Sequence, residues 1–397
     1  MKMNWKKCSV AVLAAMMALS LAGCGDKKSE EAKNASGKVL KFGVVSFADN
    51  LEPTHHSIGW ALTRYGLGET LIKFDKKMNV TPWIAESWSV ADDKLTWTFK
   101  INDKAKFSNG NKVTAEACMK SIQRTIDKSI EAKNWAQIES MKAEGQNLII
   151  KTTKPMPGLP GVLGDPYFVI IDTSVKDRDI LRMGPICTGP YMVESFSQNK
   201  AVMKANPYYW DGNVPYERVE IPSVNDPNTR AMALQKGEID VAVNIGYGDM
   251  ALFRDKKGYH VSEMASIRDC LARMNVSEGK PLADLRVRQA LLSAIDRPTY
   301  CKNLLHDTYV PGGPAMPPTL DFGYNELKDP NSYNVERAKQ LLTEAGWKDT
   351  DGDGFVDKNG KNLELNYVIY TSRAELPIFA EATQADAKKV GIKVNIN

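Results

Sequence analysis

The chain has 397 residues, 43% of them hydrophobic and 25% charged, with a formal net charge of +4. The length exceeds one ordinary domain, and the composition is that of a soluble globular protein, not a fibrous, disordered or multispanning one. Lys2, Lys6 and Lys7 lie in a segment expected to be removed, and setting them aside leaves 49 basic against 48 acidic residues, a balance that gives no argument for a nucleic-acid partner.

Residues 1–7 form a basic stretch and 10–21 an apolar run too short to span a bilayer. The following LAGC, ending at Cys24, resembles a bacterial lipobox. That resemblance implies a signal peptide over 1–23, lipidation of Cys24, and a protein anchored on the extracytoplasmic side of the cell membrane, at the cell surface or in the periplasm. Residues 24–37 are polar and charged, as a flexible tether would be. Cys118, Cys187, Cys270 and Cys301 show no metal-ligand or redox spacing and read as isolated buried thiols, with a Cys270–Cys301 bridge left open.

In the mature chain, 39–46 reads as an opening strand, 53–68 as a loop leading into a short helix, and 69–74 as extended. Between 85 and 101 the pattern is that of a hairpin. Leu95, Trp97, Phe99 and Ile101 alternate with polar residues, and Asp92, Asp93 and Lys94 form the turn back to 86–90. Thr114 is placed to cap a helix with Glu116 in its first turn. An amphipathic stretch around 135–141 precedes a strand at 147–152. A Pro/Gly-rich crossing at 155–166 is followed by an apolar segment, 167–172, expected to be a buried strand. A hairpin follows from Gly189. Asp226, Pro227 and Gly237 then bracket a helix, and strand and helix patterns recur at 238–243, 270–275, 284–296, 336–346, 363–370, 376–390 and 392–395. This alternation predicts α/β lobes with mixed sheets.

A set of ordered motifs resembles the bacterial extracellular solute-binding proteins of family 5, the oligopeptide-, dipeptide- and nickel-binding receptors of ABC importers. It comprises AESW (85–88), LTWTF (95–99), KFSNG (106–110), TAE (114–116), GPY (189–191), NPYYW (206–210), TRA (229–231), GEID (237–240), VRQAL with AID (287–291, 294–296) and AKQLLTEAGW (338–347). Asn102 departs from the pattern, where a basic residue is usual. The resemblance implies a two-lobed, type II-like periplasmic-binding-protein fold with an extra inserted domain. Lobe I would be 38–70 and 166–262, the insertion 71–165, and lobe II 263–397, with lobe II incomplete because relatives run on beyond this end. Ligand would be trapped between lobes by hinge closure. The implied partners are ABC permease and ATPase subunits and a peptide or nickel-chelate ligand; the protein is expected to be a monomer without a cofactor.

Carried onto this sequence, the resemblance puts His56 and Trp135 at ligand-lining positions, with His56 able to reach a chelated metal. Trp60 lies one helical turn beyond His56. Asp165 stands where nickel-chelate binders use an arginine to clamp carboxylates, which favours a cationic group on the ligand. Tyr370 and Arg373 end a strand, the place where open α/β sheets bind ligands, and Arg373 would meet a carboxylate. The acidic run 349–360 resembles a calcium loop but ends in Gly360 where a bidentate Glu is needed, so it reads as a polar hairpin loop. His260 and His306 lie in ordinary contexts, and no catalytic motif is present. A surface sensor or adhesion lipoprotein on the same fold is the alternative reading.

Overall fold

The computed structural model describes residues 37–264, 266–313 and 326–397. Cys24 and nearly all of the tether therefore lie outside the described residues. The chain is mixed α/β and divides into two compact units. One is Phe47–Ile221 with the described residues up to Lys41; the other is Phe42–Ser46 with Pro222–Asn397.

The first unit opens with β1 (Val39–Gly43) and a short helix α1 (Ile58–Arg64), followed by a small antiparallel pair, β2 (Ile72–Phe74) and β3 (Val80–Pro82). The hairpin expected from the Trp/Phe alternation is β4 (Ala85–Val90) and β5 (Thr96–Ile101). Trp97, Phe99 and Ile101 are buried together, as their period of two requires. Asp93 holds the turn, accepting hydrogen bonds from the N–H groups of Leu95 and Thr96. Thr114 caps α2 (Ala115–Lys128) through the Ala117 N–H, and Ser129 caps the next helix, α3 (Ile130–Ala136), through the Ala132 N–H. With β6 (Ile138–Glu144) and β7 (Asn147–Thr152) the hairpin completes an antiparallel sheet ordered β4-β5-β7-β6. Phe99, Phe107, Ile122, Leu148 and Phe168 belong to the apolar core against which it packs. β8 (Tyr191–Ser197) and β9 (Lys200–Ala205) form the hairpin after Gly189, and β10 (Arg218–Pro222) pairs in parallel with Val39–Lys41 of β1.

In the second unit Phe42 and Gly43 pair in parallel with β11 (Val241–Ala242). Asp226 caps α4 (Pro227–Gln235), and Gly237 follows it at φ +71°, the left-handed conformation a helix C′ position favours. Helices α5 (Leu285–Ala294) and α6 (Val335–Glu344) pack together over a core that includes Val287, Leu341, Leu342, Ala387 and Ile392. The short antiparallel pair β12 (Asp357–Lys358) and β13 (Lys361–Asn362) is followed by the parallel pair β14 (Glu364–Tyr367) and β15 (Lys393–Ile396), joined by α7 (Glu375–Lys389).

Four expectations are corrected. Residues 167–172 form no strand, although Phe168, Val169, Ile170 and Ile171 are buried. Pro166–Phe168 is a 3-10 turn, and the next N–H groups go to separate partners: Ile170 to the Glu69 carbonyl, Ile171 to Ser121 Oγ, Asp172 to the Ile186 carbonyl. A buried apolar run satisfied piecemeal has no ladder to join. The 135–141 stretch is not one element: Gln137, at φ +46°, ends α3, and β6 begins at the next residue. The 270–275 segment forms no strand, and it leaves Leu271 exposed. Cys118, Cys187 and Cys301 are buried free thiols, whereas Cys270 is free and exposed.

Candidate functional site

The sequence-predicted residues fall into two groups, one in each unit. In the first unit His56 and Trp60 are exposed at the start and within the first turn of α1. His56 has φ +43°, an unusual backbone for a non-glycine residue. α1 rests on the 3-10 turn Pro166–Phe168, and Gly59 makes this approach feasible. A Cβ on Gly59 would lie 2.2 Å from the Pro166 carbonyl oxygen.

Asp165 caps that turn. Its Oδ1 accepts a hydrogen bond of 2.9 Å from the Tyr167 N–H. Burial pushes its carboxyl above the ordinary carboxylate value, with the Tyr167 N–H opposing. No ion pair among the described residues reaches Asp165. Tyr167 then meets Trp135 edge to face, ring centroids 5.5 Å apart, and Trp135 remains 45% exposed at the end of α3. Glu131, one helical turn before Trp135 and also exposed, accepts from Ser129 Oγ at 3.1 Å. The Tyr167 phenol is raised first by burial, then by the charges of Glu131 and Asp165. The structure thus brings Trp135 and Asp165 together through Tyr167. Sequence reading missed Tyr167 and Glu131. The four-residue spacing of Glu131 and Trp135 is the available signal for Glu131; Tyr167 falls in the 167–172 segment whose pattern is that of a strand.

In the second unit Tyr370 lies beyond the end of β14, exposed, and Arg373 is partly buried before α7. Glu375, in the first turn of α7 and only 7% exposed, accepts from the Tyr309 hydroxyl at 3.1 Å and the Tyr247 hydroxyl at 3.5 Å. The rings of Tyr247, Tyr309 and Phe379 stack edge to face in succession. Burial, then the charge of Glu375, raises the Cys270 thiol, with Arg373 and Arg268 opposing. Four distant segments, around 247, 270, 309 and 373–379, supply this cluster, so no local pattern announces it.

In the acidic run, Asp349, Asp351 and Asp353 come together with carboxylate oxygens within 4.8 Å of one another, all exposed. Asp349 accepts from the Gly352 and Gly354 N–H groups, and Asp353 from the Phe355 N–H and Asn362 Nδ2. These are the bonds of a polar loop, as expected, and β12–β13 is its hairpin. No helix among the described residues is long and apolar enough to cross a membrane.

The sequence profile described as "Bacterial extracellular solute-binding proteins, family 5 Middle" matches residues 79–397. The chain is 29% identical over 343 residues to a nickel-binding periplasmic protein of Escherichia coli K12, covering 83% of this chain and 65% of that one. It is 28% identical over 329 residues to the glutathione-binding protein GsiB of Shigella flexneri, covering 80% of this chain and 63% of that one. The chain thus spans a little under two thirds of the length of both relatives. Among solved structures, NikA from Brucella suis in complex with Fe(III)-EDTA superposes with a TM-score of 0.77 at 26% identity, covering 90% of this chain and 74% of that one.

Proposed function

The chain belongs to the bacterial extracellular solute-binding proteins of family 5, a family of receptors and not of enzymes, and from that premise we propose that it captures a peptide or a nickel complex outside the cytoplasm and delivers it to an ABC permease. The observation that carries the reading is the family match over 79–397, joined to sequence similarity to relatives named for nickel and for glutathione and to a fold like that of NikA. No chemistry is done on the ligand. The residues proposed to contact it are His56, Trp60, Trp135, Asp165, Tyr370 and Arg373. Aromatic walls supply area at low entropic cost, and a few polar groups fix orientation. His56 supplies an imidazole to a chelated nickel if the cargo is a metal complex. Cys24, lipidated after cleavage of residues 1–23, anchors the protein to the outer side of the cell membrane through the polar stretch that follows. The permease and its ATPase are its partners.

Uptake tests the reading. Deleting the gene should abolish uptake of radiolabelled nickel–histidine or growth on a short peptide as sole source of a required amino acid, and the gene supplied in trans should restore it. Unchanged uptake of both, with the protein shown to be expressed in the parent, contradicts the assignment.

A further inference from the structure

We infer that Asn359 is a site of spontaneous covalent modification, its side chain closing onto the Gly360 nitrogen and ageing to aspartate and isoaspartate, while the chain's other Asn-Gly pair, Asn109–Gly110, is held back by its contacts. The inference is independent of which solute the protein binds.

Asparagine is among the chemically labile residues, and a following glycine, which has no Cβ, leaves its own nitrogen free to approach the asparagine side chain. The glycine nitrogen bonds to the asparagine Cγ, its proton ends on the departing amide group, and ammonia leaves a cyclic imide. Water then opens the ring. Cleavage between the nitrogen and Cγ gives aspartate. Cleavage between the nitrogen and the asparagine main-chain carbonyl carbon gives isoaspartate, whose backbone runs through Cγ and is one methylene longer.

The fold treats the two Asn-Gly pairs differently. The β12–β13 register pairs Lys358 with Lys361, so Asn359 and Gly360 are the two turn residues between them. Their φ values, +55° and +68°, are the positive pair of a type I′ turn, which Asn-Gly favours. Both residues are exposed, and neither the Asn359 side chain nor the Gly360 N–H has a hydrogen-bond partner among the described residues. A Cβ on Gly360 would have nothing within 4 Å, so the imide has room to form. Asn109, by contrast, donates from Nδ2 to Asp172 at 2.8 Å and accepts from the Asn111 N–H at 3.1 Å. The Gly110 N–H, the nucleophile of that pair, donates to the Phe107 carbonyl at 2.9 Å, and a Cβ on Gly110 would meet the Tyr208 ring at 3.1 Å. Cyclisation at Asn109 has to break three hydrogen bonds beside a ring that leaves little space.

The longer backbone has a consequence for β12. Asp357 is 6% exposed, its Oδ2 accepts from the Thr350 N–H and hydroxyl, both at 2.7 Å, and its main chain bonds that of Lys348 in both directions. Isoaspartate in the turn displaces the register from which these bonds are made, whereas aspartate suits the same turn.

The test is ageing of the full chain in warm buffer at pH 8, folded and in concentrated urea, followed by peptide mass spectrometry with electron-transfer fragmentation to separate aspartate from isoaspartate. In the folded protein the peptide containing Asn359 should convert at least tenfold faster than the one containing Asn109. In urea, where the contacts of Asn109 are gone, the two rates should agree within threefold. N359Q should abolish the fast conversion. The aged, isoaspartate-rich protein should melt below the parent, and N359D should melt with it. Equal rates in the folded protein, or faster conversion at Asn109, overturn the inference. A tenfold difference that persists in urea also overturns it, because the difference then comes from neighbouring sequence and not from the fold. Isoaspartate-rich protein that melts with the parent overturns the consequence drawn for Asp357.

Discussion

Glu69 shows how much one residue contributes to the physical behaviour of the first unit. It is 1% exposed, and it accepts from Trp210 Nε1 at 2.9 Å and the Tyr209 hydroxyl at 3.4 Å. Burial, with Asp211 adding repulsion, outweighs those bonds and pushes its carboxyl up to about 7. A folded-state value above the ordinary 4.5 favours the protonated form, so its contribution to stability is present below 4.5 and lost as pH rises to about 7. E69Q should therefore flatten the fall in melting temperature between pH 5 and 8, recovering up to about 3 kcal/mol at pH 8. A pH profile unchanged by the substitution would mean that Glu69 is ionised in the fold without penalty. Glu52 behaves oppositely: burial is outweighed by the Arg124 hydrogen bonds and charge, its carboxyl falls to about 2, and its contribution is present above 4.5 and lost as pH falls to about 2. At this scale the sequence marked Trp135 and Asp165 through motif position. It could not mark Tyr167 or Glu69, whose roles come from partners many residues away.

Among elements, the caps and turns were the most legible. Thr114, Asp226 and Gly237 each act through bonds or dihedrals within a few residues, and each stands where the pattern placed it. The 167–172 segment was not legible because burial, which sequence shows, does not determine whether N–H groups meet one neighbour or several. Packing of α1 against the Asp165 turn depends on Gly59, whose Cβ position is occupied by the Pro166 carbonyl. G59A should displace α1 and cost about 1–3 kcal/mol, as overpacking does, visible as a lowered midpoint in urea unfolding. On the proposed function it should also weaken ligand binding, since Trp60 lies on α1 and His56 just before it. A variant as stable as the parent would show that α1 accommodates the methyl without shifting.

For the whole molecule, the set of motifs from AESW to AKQLLTEAGW was enough to reach the family, because fold-level signatures are spread along the chain. The ligand was not legible in the same way: fold does not imply substrate, and relatives of this fold carry names for both nickel and glutathione. The most direct measurement is a thermal-shift titration of the full chain against short peptides, free Ni²⁺ and Ni²⁺–histidine. A solute receptor held at 100 times its Kd should gain about 2.7 kcal/mol of stability from its ligand. The account predicts that gain with a peptide or with nickel–histidine. A melting temperature unmoved by every member of the panel, up to millimolar concentrations, would contradict it.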